Sequence, residues 1–148
     1  MKQAIEQFLQ SKNIAIVGMS SKNPKFGNLA YKELSKKNFN LYPIYPKAKK
    51  IDGAQCLTNF NDIKDKIDGV LISIQPSESG KVVKSAHEAG IKNIWLQQGA
   101  QSDSVIQFCK DNGINVVYNE CILMFAEPVK SFHKFHRWVW KILGKLPK

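Results

Sequence analysis

The sequence predicts a doubly wound α/β fold: a parallel sheet of about five strands, helices on both faces, and a basic helix appended at the C-terminus. Three observations carry this reading. Short apolar runs alternate with helical patterns along the 148 residues, as βα units require. Several runs, above all residues 69–74, are apolar on both faces, as strands covered by helices on both sides must be. The first run, Ile14-Ala15-Ile16-Val17, ends in Gly18 and a hydroxyl-rich stretch, Ser20-Ser21-Lys22-Asn23, before a helical pattern begins near Gly27. A tight glycine turn between strand and helix leaves room for an anion at the helix N-terminus.

The elements follow in order. Residues 2–11 read as a short amphipathic helix with Ile5, Phe8 and Leu9 on one face. Strand one covers residues 14–18, and a helix over 28–37 buries Leu29, Ala30 and Leu34. Strand two covers 41–45, although Pro43 is awkward inside a strand because it donates no ladder bond. Pro46 stops that strand, and a lysine-rich loop follows. Cys56-Leu57 reads as a minor strand and residues 61–66 as a short helix. After the buried strand at 69–74, Pro76-Ser77-Glu78-Ser79 opens a helix that stops at Gly90. Residues 93–97 form strand four. Ser102 or Asp103 caps a helix through Val105, Ile106 and Cys109 that ends near Gly113, and 114–119 form the last strand. The crossovers should be right-handed. The expected organisation is one Rossmann-like domain over residues 1–121 and a basic amphipathic helical extension over 122–148.

Twenty-two basic against 12 acidic residues leave a net charge of +10, which suits an anionic partner: a nucleotide, a nucleic acid or an anionic lipid. Residues 129–148 hold Lys130, Lys134, Arg137, Lys141, Lys145 and Lys148 and no acid. Phe132, Phe135 or His136, Val139, Ile142 and Leu143 fall on one side of that stretch, with Trp138 and Trp140 nearby. Such a helix serves to pack on its own domain, on a second copy or on a protein partner, or to lie on an anionic membrane surface. Nucleic acid is the weaker option, because the aromatics sit at helical spacing and not on a strand platform. No apolar run is long enough to span a bilayer and the N-terminus lacks a signal-peptide core, so a cytoplasmic location is expected. Cys56, Cys109 and Cys121 are odd in number, widely spaced and without a CxxC, which points to buried free thiols and away from a disulfide framework or zinc site.

Ligands of such folds bind at the carboxyl ends of the strands. There the sequence places Gly18, Ser20, Ser21, Lys22, Asn23 and Lys25 after strand one, and Pro46, Lys47, Lys49 and Lys50 after strand two. Gln75, Pro76 and Ser77 follow strand three, Gln97, Gln98 and Gly99 strand four, and Asn119 and Glu120 strand five. This rim is polar and basic. The first turn is not G-x-G-x-x-G, and Lys47 stands where NAD binders carry an acid for the ribose hydroxyls. A lysine there suits a phosphate on the ribose, which NADP and coenzyme A both carry. Alone, Lys47 would read as one more solvated lysine; beside the strand-one turn it reads as part of a site.

A catalytic set is hard to assemble. His87 falls mid-helix, and His133 and His136 lie in the tail, where two histidines without a third ligand make no metal site. Ser20 and Ser21 have no base, and no carboxylate pair stands at the strand ends. The expectation is a binding protein without catalysis. The alternatives are an NADP-dependent oxidoreductase or a membrane- or partner-docking module that uses the tail.

Four segments in order sharpen this: Val17-Gly18-Met19-Ser20, Tyr42-Pro43-Ile44-Tyr45-Pro46-Lys47, Ile74-Gln75-Pro76 and Ile94-Trp95-Leu96-Gln97-Gln98-Gly99. Over residues 10–121 the chain resembles the small stand-alone CoA-binding proteins of bacteria and archaea. Those are similar to the N-terminal CoA-binding domain of the succinyl-CoA synthetase alpha subunit. The resemblance implies a domain that binds coenzyme A or an acyl-CoA as carrier, sensor or regulator. It implies that Gly18 and Ser20 to Asn23 form the phosphate turn and that Lys47 meets a phosphate. Ile74 and Pro76 would border the nucleotide, with Ile44 offering further apolar contact to the adenine, and Leu96, Gln97 and Gln98 would line the CoA chain. The sequence has no counterpart of the ligase's second domain with its phosphorylated histidine, so ligase activity is not expected. The small proteins often carry a basic residue before the cysteine after strand five; here it is Glu120 before Cys121.

Overall fold

Runs of β-branched residues build a five-stranded parallel sheet at the centre of the computed structural model, which describes residues 1–126. The elements are α1 (Lys2–Leu9), β1 (Asn13–Val17), α2 (Phe26–Leu34), β2 (Asn40–Ile44), β3 (Lys50–Ile51), β4 (Ala54–Gln55), β5 (Gly69–Ile72), α3 (Pro76–Glu88), β6 (Asn93–Gln97), α4 (Asp103–Asp111) and β7 (Asn115–Glu120). Two 3₁₀ turns, Phe60–Asp62 and Ile122–Met124, complete them. The sheet runs β2-β1-β5-β6-β7 with every pair parallel. Ranked by sheet strand this is the order 2-1-3-4-5, a doubly wound arrangement.

Alternate residues of each strand feed two cores. On one face Val70, Ile72, Ile94 and Leu96 pack with Val83 and Ala86 of α3 and Val105 and Cys109 of α4. On the other, Ile14, Ile16, Leu71, Trp95 and Val117 pack with Phe8 of α1 and Ala30 and Leu34 of α2. The Phe8 and Trp95 rings meet edge-on with centroids 5.3 Å apart, a favoured aromatic geometry. The central strands β1, β5 and β6 are thus buried on both sides, which is why their runs read as apolar throughout.

The structure keeps strand two despite Pro43 and departs from the sequence reading at several later points. Pro43 sits within β2, at the sheet edge, opposite Ile16. Its carbonyl accepts from Leu57 N–H at 2.8 Å, so its nitrogen, on the same side of the strand, faces away from β1 and no ladder bond is lost. The lysine-rich loop contains a small hairpin, β3 with β4, turning at Asp52-Gly53, both with positive φ. Cys56-Leu57 contributes only an isolated bridge from Leu57 to Ile44. The expected helix at 61–66 is the 3₁₀ turn Phe60–Asp62, capped by the Asn59 side chain accepting from Asn61 N–H. Strand β5 stops at Ile72, two residues before Ile74. The boundary placed after Cys121 falls inside the core: Ile122, Leu123, Met124 and Ala126 are all buried, with Ile122, Leu123 and Ala126 packed in the core that holds Ala30 and Leu34. The basic helix expected over the remaining tail lies outside the described residues.

Among the described residues, no helix is long and apolar enough to cross a membrane, and no three His, Cys, Asp or Glu side chains gather as for a metal. The three cysteines are free; burial pushes the Cys109 thiol up to about 11, which makes it a packing group.

Candidate functional site

In a 2-1-3-4-5 sheet the connections leave in opposite directions from the first and third strands, here β1 and β5, and open a crevice beyond their carboxyl ends. Two glycines shape that crevice. Gly18 follows β1 at φ +122°, and a Cβ there would lie 2.2 Å from the Ser73 carbonyl oxygen just beyond β5. Gly27 lies in the first turn of α2, where a Cβ would lie 2.5 Å from the Gly18 carbonyl carbon and oxygen. The β1 turn, the β5 exit and the α2 N-terminus therefore touch backbone to backbone. Only residues without a side chain permit such an approach. The result brings the partial positive charge of a helix N-terminus to the mouth of the crevice.

Asn28 fixes the loop between the two glycines. Its Oδ1 accepts from Ser20 N–H and Lys25 N–H, each at 3.0 Å. Its Nδ2 donates to the Ser20 carbonyl at 2.9 Å and to Asp52 Oδ2, at the hairpin tip, at 3.0 Å. The side chain is buried with its hydrogen-bonding capacity filled. Ser20 Oγ in turn accepts from Asn23 N–H at 3.3 Å. Held this way, Ser21, Lys22, Asn23, Pro24 and Lys25 are exposed along the rim.

Beside this turn a cavity of about 250 Å³ is lined chiefly by Val17, Ile44, Pro46, Phe60 and Val82, with Lys81 also in its wall. That is below the ~300–1,000 Å³ of pockets for whole drug-sized ligands, so it suits one ring system of a larger molecule. Lys47 stands exposed directly after Pro46. Pro76 is the first residue of α3, exposed on the same rim, and Ile74 is half-buried against the core. The Pro76 ring supplies the fixed φ that suits a first helical position.

The ends of β6 and β7 differ from expectation. Gln98 is exposed, whereas Leu96 is fully buried in the core and Gln97 is 5% exposed. Gln97 Oε1 accepts from Ile122 N–H at 3.2 Å. Leu96 and Gln97 thus back the rim from below, and Gln98 is the member of the trio open to solvent. The β6–β7 register slips between Trp95 and Gln97, and Asn119 takes φ +60° there, a bulge that re-aims the end of the last strand. Gln101 Nε2 donates to Asn119 Oδ1 across that bulge. Glu120 follows, 5% exposed, with Oε2 lacking a hydrogen-bond partner among the described residues. Burial pushes its carboxyl up to about 7, against a smaller opposing pull from the Met1 ammonium.

The structure therefore places Gly18, Ser20, Ser21, Lys22, Asn23, Lys47, Ile74, Pro76 and Gln98 along the carboxyl ends of the strands, and Leu96 and Gln97 beneath them. Sequence reasoning missed Gly27, Asn28 and Asp52 as shaping residues and Phe60 and Lys81 as cavity walls. Asp52-Gly53 carried a legible signal, a hairpin turn dipeptide. Asn28 carried none, because an asparagine inside a helical pattern looks ordinary.

A family model described as CoA binding domain matches residues 12–127. Uncharacterized protein YneT of Bacillus subtilis is 25% identical over 122 residues, covering 82% of this chain and 90% of that one. The ADP-forming acetate–CoA ligase of Methanocaldococcus jannaschii is 33% identical over 81 residues, which cover 55% of this chain and 12% of the ligase. A solved conserved hypothetical protein from Pyrococcus furiosus superposes with a TM-score of 0.70 at 32% identity, covering 75% of this chain and 96% of that one.

Proposed function

This chain belongs to the CoA binding domain family, and from that membership we propose that it binds coenzyme A or an acyl-CoA at the rim of β1, β2 and β5. The observation that carries the reading is the glycine-built meeting of the β1 turn, the α2 N-terminus and the β5 exit beside an apolar cleft. Phosphates need converging N–H donors and cations, and an adenine needs an apolar slot. The amides of Ser21 and Lys22, with the Lys22 and Lys47 side chains, serve the phosphates, while those of Ser20 and Asn23 hold the turn in shape. The cleft of Val17, Ile44, Pro46, Phe60 and Val82 takes the base, bordered by Ile74 and Pro76. Gln98 faces the pantetheine arm, with Leu96 and Gln97 behind it.

In this reading the protein carries, senses or responds to the ligand and does not transform it. Support comes from where the ionisable groups lie. His87 sits in the last turn of α3, edge-on to Phe108 at 5.7 Å, away from the rim. Glu120 is buried, and Asp52 is hydrogen-bonded to Asn28.

Titration of Lys47→Glu with CoA tests the site. Reversing one charge-assisted phosphate contact should weaken CoA binding roughly tenfold or more, with the far-UV circular dichroism unchanged. Unchanged affinity would remove Lys47 from the site.

A further inference from the structure

We propose that Asp52 is a positioning residue of the ligand site: through Asn28 it ties the lysine-bearing excursion after β2 to the turn after β1, and so holds both against one phosphate-rich ligand. The inference rests on the CoA reading for its ligand, while the coupling itself is a property of the free protein.

The excursion leaves the sheet after Ile44 and returns at Leu57. Its base is pinned by Tyr45 N–H to the Leu57 carbonyl at 2.9 Å and Leu57 N–H to the Pro43 carbonyl at 2.8 Å. Cys56 N–H to the Lys49 carbonyl, at 2.8 Å, closes it further out. Lys47, Lys49 and Lys50 lie along its outgoing arm, all exposed. At the tip, Asp52 and Gly53 turn with φ +51° and +79°, and a Cβ on Gly53 would meet no atom within 4 Å. The tip therefore projects into open space on the Gly53 side, and Asp52 Oδ2 joins it to Asn28 Nδ2 at 3.0 Å.

That bond does more than fasten a loop. An amide can present either its oxygen or its nitrogen to a neighbour, whereas a carboxylate only accepts. Asp52 therefore holds the NH₂ of Asn28 towards the hairpin. The Asn28 oxygen must then face Ser20 N–H and Lys25 N–H, which it accepts at 3.0 Å each. A flipped amide would set its oxygen against the carboxylate and leave both loop amides facing NH₂. Together with Ser20 N–H, Lys25 N–H and the Ser20 carbonyl, which hold the same amide, the acid after β3 thus braces the turn after β1 through Asn28, 24 residues from it in sequence. It also fixes the lysines of its own segment relative to that turn.

The test compares the full chain with Asp52→Gly and Asp52→Asn. Glycine accepts the positive φ and removes the acceptor, while asparagine accepts the same φ and keeps one. Asp52→Gly should weaken CoA binding roughly fivefold to tenfold, within the range of one ordinary hydrogen bond lost. Asp52→Asn should stay within about twofold of the parent. In the free proteins, amide hydrogen exchange at Ser20 and Lys25 should accelerate in Asp52→Gly and not in Asp52→Asn. Parent-like exchange and affinity in Asp52→Gly would overturn the proposal, as would equal impairment in both variants or tighter binding in Asp52→Gly. If the parent chain itself ignores CoA, the ligand reading fails, and the exchange measurement still decides the coupling.

Discussion

Replacing Gly18 by alanine should destabilise the domain by about 3 kcal/mol or more and abolish CoA binding. The new Cβ would lie 2.2 Å from the Ser73 carbonyl oxygen and 2.7 Å from its carbon. Both are backbone atoms next to the sheet, so no side chain can swing away. Ser73 N–H also donates to the Val17 carbonyl at 2.8 Å, which ties the two segments that would have to part. The φ of +122° adds conformational strain for any residue with a side chain. Gly53→Ala is the control: φ is also positive there, but nothing lies within 4 Å of the added atom. It should cost only the left-handed strain, about 1–2 kcal/mol. Urea unfolding of both variants checks this, and equal losses would show that the close approach at Gly18 carries no energetic weight.

Glu120→Gln should stabilise the protein at pH 8 by about 3 kcal/mol and have little effect at pH 4. Burial lifts the folded-state carboxyl from 4.5 to about 7. Between those values the folded chain binds more protons than the unfolded chain, so stability falls as pH rises. The loss begins above about 4.5 and is complete above about 7. Glutamine keeps the shape of the protonated acid and never ionises, so its advantage should grow through that same window. Urea midpoints for both proteins at a series of pH values provide the measurement. A difference that does not change with pH would mean that Glu120 reaches solvent or a cation when charged.

Much of this fold is legible because its signals are local. Strand β6 runs over residues 93–97 as read from the sequence, and Ser102, one of the two caps it offered, caps α4 through Val105 N–H, because an apolar run bounded by polar residues and a serine before a helical pattern need no distant partner. The missed hairpin has strands of two residues, too short for any periodicity, and its Asp52-Gly53 turn was the one available sign. The segment just after Cys121 was hidden for a different reason. Ile122-Leu123-Met124 resembles the start of an apolar helix, and only the packing against α2 shows that these residues close the core.

The candidate site divides in the same way. Gly18 and the residues of its turn follow from a strand ending in glycine, and Lys47 from its place after strand two. Asn28 and Asp52 do not, because their roles rest on bonds between segments 24 residues apart. Leu96 and Gln97 show the converse limit. Their position at a strand end was legible, but the side-chain directions were not: Leu96 faces one core, and Gln97 turns inward to accept from Ile122.

Isothermal titration of the full chain with CoA, and separately with NADPH, tests the central claim most directly. Both ligands carry a ribose phosphate and a pyrophosphate, so they differ in the ribose oxygen that bears the phosphate, 3′ in CoA and 2′ in NADPH, and in what extends beyond the pyrophosphate. Saturable heat with CoA and markedly weaker binding of NADPH is the predicted result. Equal or tighter binding of NADPH would contradict it and favour an NADP-dependent oxidoreductase.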